Sequence, residues 1–356
     1  MGGRGNRPGG RRWRGWPVAL AAAVAVTVAG CSSGGEDHAA GPGAAPAPAT
    51  AAVAPPAATP AGTVTPAGPV AALLAEPATG RVAVLDTDRV TLRLLDTDRV
   101  TLRLLDAAAP ARTLTLPAPA SALAAGAPGQ ILATAGRELV RIDAATGELR
   151  STPLDGEGRA AARRADGTVA VGLAGGRVAI LTPEGQVAQT ISDLPGIDAL
   201  AAAGNAVAVL DRAQTVLTQL DLGDGAPGLA LRAGLGATQL TADHFGRLLV
   251  TDTAGGALLV YTADPLVLHQ RFPVGSSPYA IAYDQRSETV WVTLTASNEV
   301  AGFDLSTGIP EEVGRFATVR QPDTLTIDPR TGDMFVGSAT GDGLQRIGAD
   351  ERKRGQ

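Results

Sequence analysis

Acidic and amide side chains at the ends of short apolar runs are the residues of this sequence whose types and placement favour chemistry. The candidates are Asp86, Asp211, Asp252, Asn298, Glu299, Asp323 and Asp342. Their oxygen atoms are the hard ligands that Ca²⁺ prefers. The alternative, which we favour, is that they are ordinary turn residues that cap the ends of strands. We therefore expect no required cofactor, and Ca²⁺ is the candidate ion if a metal binds.

Histidine-based chemistry is poorly supported. The chain has three histidines, and His38 lies in a proline-rich stretch, so that only His244 and His269 remain for a folded domain. We expect His244 to lie in a surface turn and His269 on a solvated outer strand. A glycine pattern at residues 223–228 resembles a dinucleotide-binding loop, but Pro227 and the β-like run after it leave no helix to hold a pyrophosphate.

The only cysteine, Cys31, directly follows an apolar segment. Residues 1–16 are rich in arginine and contain no acid, and residues 17–30 are apolar, which is the layout of a secretory signal. About fourteen residues are too few for a membrane-spanning helix, which needs roughly twenty. The run Val28-Ala29-Gly30-Cys31 resembles the bacterial lipobox. That resemblance implies cleavage before Cys31, acylation of the cysteine, and a lipid-anchored protein on the extracytoplasmic side of the cell membrane.

We expect residues 31–69 to form a disordered linker, because this stretch of alanine, proline, glycine and threonine has too few large apolar residues to fold alone. The formal net charge is −5, and removing the five arginines of the signal would take it to about −10. Such a chain repels phosphate backbones, which argues against nucleic-acid binding. The scarcity of lysine beside arginine, with the heavy use of alanine, glycine and proline, indicates a GC-rich genome. Together with the resemblance to a bacterial lipoprotein, it leads us to expect an actinobacterial source.

The elements that must position the candidate residues are short strands in a repeat of about forty residues. Hydrophobic residues make up 45% of the chain and aromatic residues only 3%, which favours many thin strands of Val, Leu, Ile and Ala. The second strand of each repeat can be aligned as 81–86, 130–134, 168–172, 205–211, 247–252, 289–293 and 333–337. A period near forty with four strands per unit is typical of the blades of a β-propeller.

The segment Val274-Gly-Ser-Ser-Pro278, followed by Tyr279-Ala-Ile-Ala282, resembles the phrase that joins blades in YVTN-type, or YncE-like, seven-bladed propellers. The resemblance covers roughly residues 70–348 and implies an all-β propeller with binding functions on the face where the blades are joined.

Seven repeats predict seven blades, with six as the alternative. The last repeat lacks a fourth strand, and we expect residues 62–70 to supply it, which removes an exposed sheet edge. The sequence 85–94 is repeated unchanged as 95–104, which predicts a bulged or longer hairpin in the first blade. We expect residues 349–356, which are charged, to be disordered.

Two functions fit this layout. The first is a monomeric, non-catalytic binding or scaffold module for a protein, peptide or glycan of the cell envelope. The second is a metal-dependent lactonase or hydrolase of the gluconolactonase-like propeller type, with the acidic residues as its ligands. Since both functions predict the same fold, the arrangement of the acids at the channel mouth must separate them.

Overall fold

The computed structural model describes residues 47–56, 59–89, 91–96 and 112–353. The predicted signal peptide, Cys31 with Val28, Ala29 and Gly30, and most of the second tandem copy lie outside the described residues. Within the described part, the structure consists of seven four-stranded antiparallel sheets, which are the blades of a ring. The fold predicted from the sequence, a seven-bladed β-propeller, is confirmed, and the six-bladed alternative is wrong.

The first three blades follow one another along the chain, each with its strands in sequence order from the channel outwards. Blade 1 contains β2 (Val70–Glu76), β3 (Arg81–Asp86), β4 (Thr91–Asp96) and β5 (Arg112–Thr115). Blade 2 contains β6 (Ala120–Ala125), β7 (Gln130–Ala135), β8 (Glu138–Asp143) and β9 (Leu149–Pro153). Blade 3 contains β10 (Gly158–Arg163), β11 (Val169–Leu173), β12 (Arg177–Leu181) and β13 (Val187–Ile191).

The next three blades repeat this order. Blade 4 contains β14 (Ala199–Ala203), β15 (Ala206–Asp211), β16 (Val216–Asp221) and β17 (Ala226–Arg232). Blade 5 contains β18 (Ala237–Ala242), β19 (Arg247–Asp252), β20 (Ala257–Ala263) and β21 (Leu266–Pro273). Blade 6 contains β22 (Pro278–Asp284), β23 (Thr289–Leu294), β24 (Glu299–Asp304) and β25 (Glu311–Ala317).

Blade 7 is built from both ends of the propeller sequence. It contains β26 (Pro322–Ile327), β27 (Met334–Ser338), β28 (Leu344–Ile347) and, as its outer strand, β1 (Thr63–Thr65). Strand β1 pairs antiparallel with β28, Thr63 opposite Arg346 and Thr65 opposite Leu344. The predicted closure by a strand from residues 62–70 is confirmed.

The core lies between the blades. Every junction between neighbouring blades holds a cluster of buried apolar side chains, for example Leu85 and Leu92 of blade 1 with Ile131 and Ile142 of blade 2. The second strand of each blade is buried on both faces because neighbouring blades cover both sides of its sheet. Burial on both faces explains why these strands are continuous runs of apolar residues in the sequence.

Two segments differ from the expectation that they are disordered. Residues 47–69, which composition places in the linker, include β1 and a stretch that lies on the propeller, because side chains of the ring bond its main chain. At the other end, Ala349–Lys353 form a short helix, α1, and Arg352 within it is buried against Trp291 and Asp284. No helix in the described part of the chain has the length and apolar character that a membrane span requires.

Candidate functional site

The seven inner strands surround a central channel with a cavity of about 680 Å³. Small and aliphatic side chains, mostly Ala and Leu, line most of it, while Arg89, Asp198, Arg212 and Asp323 add charge. The turns between second and third strands and the segments between blades share one side of the ring, because antiparallel strands alternate in direction. We call this side the loop face.

All seven candidate oxygen ligands lie at loop-face positions, in or beside these turns or at the start of an inner strand. Most of them are bonded within their own blade or to the adjoining interblade segment. Asp86 pairs with Arg93, and Asp342 accepts hydrogen bonds from Ser338 and Thr340. These contacts tie each carboxylate to its own hairpin.

The other acids of the group behave in the same way. Asp211 accepts the N–H of Gln214, and Glu299 pairs with Arg315 at 3.0 Å. Asp252 is fully buried and accepts hydrogen bonds from the main-chain N–H groups of Leu235, Gly236 and Gly255. Among the residues that the structure describes, no three His, Cys, Asp or Glu side chains are grouped as metal ligands.

The structure does bring Asn298 and Asp323 together, through Gln321. The Oδ1 atom of Asn298 accepts the N–H of Gln321 at 3.0 Å, and the Nε2 atom of Gln321 donates to Oδ1 of Asp323 at 2.9 Å. Burial raises the pKa of Asp323, and the hydrogen bond from Gln321 opposes that shift only in part. The result is a polar network at the junction of blades 6 and 7.

Residues 47–56, which we call the strap, lie across this network. Their course begins at blade 4, where Arg212 donates to the carbonyl of Ala49 at 2.9 Å. The N–H of Ala52 donates to Oγ of Ser277, in the segment between blades 5 and 6, at 2.9 Å. The strap therefore crosses the loop face over several blades before the chain enters β1.

Most hydrogen bonds to the strap come from blades 6 and 7. Oε1 of Gln321 accepts the N–H of Ala54 and Nε2 of Gln321 donates to the carbonyl of Ala52, both at 3.0 Å. Asn298 Nδ2 donates to the carbonyl of Pro55 at 2.8 Å, and Arg320 Nε donates to that of Ala54 at 3.3 Å. The candidate functional site is thus a set of side chains that bind peptide main chain.

Of these binding residues, sequence reasoning singled out only Asn298; it missed Arg212, Ser277, Arg320 and Gln321. A signal was present, since Ser277 and Gln321 both stand directly before a proline that begins an inner strand. Both residues have left-handed backbone, which directs the hydroxyl of Ser277 and the amide of Gln321 toward the strap. A single sequence does not reveal this backbone conformation.

The opposite side of the ring holds a smaller polar cluster. His244 lies in the turn between β18 and β19, as predicted, and its Nδ1 atom is 2.9 Å from the hydroxyl of Tyr283. Burial, together with nearby Asp243 and Glu288, raises the pKa of Tyr283 to about 12. The tyrosine is therefore a neutral hydroxyl at ordinary pH, and His269 is exposed on β21 as expected.

No protein-family model matches the chain, and no curated protein matches it. Similar solved structures do exist. A streptogramin B lyase is 13% identical over 80% of this chain and 95% of its own, with a TM-score of 0.63. A hydrazine synthase from Kuenenia stuttgartiensis is 10% identical over 81% and 97%, with a TM-score of 0.65.

A catalytically inactive virginiamycin B lyase from Staphylococcus aureus with quinupristin is 15% identical over 81% of this chain and 98% of its own, with a TM-score of 0.62. At these identities the comparisons establish the propeller fold alone. Because a lyase and a hydrazine synthase share this fold, the fold does not identify a function.

Proposed function

We propose that this chain is a non-catalytic binding module that holds a protein or peptide of the cell envelope on its loop face. In this proposal the module is anchored outside the cell membrane through acylation of Cys31, on the linker that follows. The observation that carries it is the binding of the strap: Gln321, Asn298, Ser277 and Arg212 bond the main chain of an irregular segment. These contacts support a loop face that binds peptide main chain, and they favour a protein or peptide partner over a glycan.

The hydrolase alternative has no comparable support. Catalysis at a metal needs ligands that converge on one point with an open position for water. In the described residues, Asp211 and Asp342 are bonded within their own turns, and Asp86 is paired with Arg93 on the next strand of its own hairpin. The lyases that share the fold do so at low identity, so their activity is not carried over.

Two exposed apolar residues on opposite faces give a matched test. Leu235, in the segment between blades 4 and 5, lies on the loop face and is 64% exposed, and Phe245, in a turn on the other side, is 56% exposed. Each is replaced in separate strains by the photo-crosslinking residue benzoylphenylalanine, and the cells are irradiated. We expect one defined partner to be crosslinked from position 235 and not from position 245, and to be lost when Gln321→Ala is added. Crosslinking only from position 245, or from neither, would contradict the proposal.

A further inference from the structure

The strap is recognised mainly through its main chain. Hydrogen bonds reach the N–H groups of Ala52 and Ala54 and the carbonyls of Ala49, Ala52, Ala54 and Pro55. Among its side chains, Ala54 is buried at 3% exposure, whereas Val53 beside it is 86% exposed. The site thus selects a small residue at one position and tolerates varied side chains next to it.

The residues that hold the strap are fixed in place by their own contacts. Ser277, Asn298 and Gln321 all have left-handed backbone, with φ of 55°, 53° and 52°. Non-glycine residues adopt this conformation uncommonly, and it clusters at functional sites. Asn298 is 3% exposed and its amide is oriented by the N–H of Gln321, while the Ser277 hydroxyl is 2.7 Å from that of Thr295. These contacts hold the Asn298 amide and the Ser277 hydroxyl in the positions from which they bond the strap.

Proline explains why such a site needs side-chain donors and acceptors. A proline-rich segment cannot pair fully as a strand, because proline has no N–H. In the strap, Pro48, Pro55 and Pro56 have no N–H group, and the segment does not pair as a strand. Its carbonyls and remaining N–H groups must then be satisfied one at a time, as the amide of Gln321 does for Ala52 and Ala54. Known modules bind proline-rich segments in aromatic-lined grooves, whereas this site bonds the strap through hydroxyl, amide and guanidinium groups.

We propose that the loop face at blades 4–7 is a receptor site for a proline-rich segment of a partner protein, and that the strap occupies it in cis until that segment displaces it. This inference rests on the proposed function and names its ligand: a segment with a small residue followed by proline, as in Val53-Ala54-Pro55. The strap is joined to the propeller through β1, so it competes at a high effective concentration. The free chain is therefore closed, and a partner binds only by exchange with the strap.

Two neighbouring strap residues provide a variant and its control. Ala54→Arg places a long charged side chain at the buried position and should release the strap, whereas Val53→Arg changes an exposed side chain. Both full-length chains are purified in detergent. The probe is a fluorescent synthetic peptide with the sequence of residues 47–56. Anisotropy should show at least about tenfold tighter binding to the Ala54→Arg chain than to the wild type or Val53→Arg, because the cis competitor has been removed.

Two added substitutions, one in the protein and one in the peptide, test whether the peptide binds at the strap site. Adding Gln321→Ala to the Ala54→Arg chain should abolish peptide binding, and so should arginine at the Ala54 position of the peptide. If Ala54→Arg disturbs folding, Ala52→Pro releases the strap in another way, by removing the N–H that donates to Ser277. Unchanged tryptophan emission from Trp291 reports that the ring is intact.

Failure is also informative. Absence of peptide binding to folded, strap-released chains would overturn the inference, and persistent crosslinking from position 235 in the same chains would leave the proposed function standing. If the otherwise unchanged chain gives no crosslink from position 235, the proposed function itself is contradicted. A concentration-dependent dimer of the wild-type chain, detected by sedimentation, would identify the second copy as the source of the segment and overturn the assignment to a partner protein.

Discussion

The N–H of Ala54 donates to Oε1 of Gln321 at 3.0 Å, although 267 residues separate them in the sequence. The contact exists because the chain passes over the loop face before it supplies the outer strand of blade 7. The same approach therefore places the strap on blades 6 and 7 and closes the ring through β1. Closure of the fold and occupation of the candidate site are linked by one stretch of chain.

Removal of the Gln321 amide should loosen the strap while leaving the ring folded. Gln321→Ala deletes two hydrogen bonds to the strap, each worth about 1 kcal/mol. We expect amide hydrogen exchange in residues 47–56 to become roughly 10- to 30-fold faster, as measured by mass spectrometry. Gln186→Ala, in a turn on the opposite side, is the control and should leave exchange in the strap unchanged. Equal exchange in all three proteins would show that Gln321 does not hold the strap.

The strands were predictable because their signal is local. Buried on both faces, the second strands are continuous apolar runs, and all seven begin within one residue of the alignment made from the sequence. The missing strand of the last repeat similarly pointed to residues 62–70. The duplicated stretch 95–104 gives no such test, since most of it lies outside the described residues.

The strap was not predictable from composition, because an alanine- and proline-rich segment has too little apolar surface to fold alone. Its position depends on Ser277, Asn298 and Gln321, which are distant in sequence and which satisfy its main chain. Helix α1 is a similar case, since the charged tail is ordered by the burial of Arg352 in a tertiary contact. Both segments show tertiary structure overriding local tendency.

Ring closure should depend on Gln345, a fully buried residue of β28 whose side chain bonds the chain leading into β1. Its Nε2 donates to the carbonyl of Ala61 at 2.8 Å, and its Oε1 accepts the N–H of Val319 at 3.0 Å. Gln345→Leu leaves these buried groups without partners, at about 1–3 kcal/mol each. We expect urea denaturation to show a loss of roughly 2–4 kcal/mol, against less than about 0.5 for Val64→Thr on partly exposed β1. A small effect of Gln345→Leu would mean that water replaces the lost partners.

Asp323 should make the protein less stable as the pH rises. Burial raises the pKa of Asp323 in the folded state, so the folded chain holds this proton more tightly than the unfolded chain does. Stability then falls as the pH rises from the unfolded value near 3.9 through the raised folded value, and it stays lower above that. We expect Asp323→Asn to stabilise the protein at about pH 7, with the gain shrinking toward about pH 4 in urea titrations. An Asn variant less stable than wild type at neutral pH would refute this sign.

Glu76 provides the opposite case as a control. Burial alone would raise its pKa, but hydrogen bonds from Thr79, Gly129 and Ala78 outweigh burial and lower it. The stabilisation from Glu76 is therefore present above the unfolded value and is lost as the pH falls through the folded value. Glu76→Gln should destabilise the protein at neutral pH and have a smaller effect in acid. At neutral pH, Glu76→Gln should therefore lower the free energy of unfolding, whereas Asp323→Asn should raise it.

Chelation of divalent cations should leave the thermal midpoint unchanged. Oδ1 of Asp252 and Oδ1 of Asp211 accept main-chain N–H groups, and Oδ2 of Asp252, which is buried without a hydrogen-bond partner, lies 3.6 Å from the cationic Arg271. We expect these contacts to hold both carboxylates without a metal ion. A calcium site filled at a hundred times its Kd would add about 2.7 kcal/mol. Its loss would lower Tm by several degrees. Differential scanning calorimetry with and without EDTA distinguishes a metal-free protein from a calcium-bound one, and a clear fall in Tm in EDTA would support a Ca²⁺ site.

Helix α1 should fasten blade 6 to blade 7 through one buried ion pair. Arg352 donates to Asp284 Oδ2 at 3.0 Å, with both side chains almost fully buried, and its guanidinium lies 4.9 Å from the ring centre of Trp291. Because Arg352→Met leaves a buried carboxylate without its cation, we expect a loss of about 3–5 kcal/mol in urea denaturation. Trp291 is the only tryptophan beyond residue 16, so its emission should shift when the guanidinium is removed. Adding Asp284→Asn should recover part of the loss, and a double variant as unstable as Arg352→Met alone would show that packing, rather than charge pairing, holds the helix.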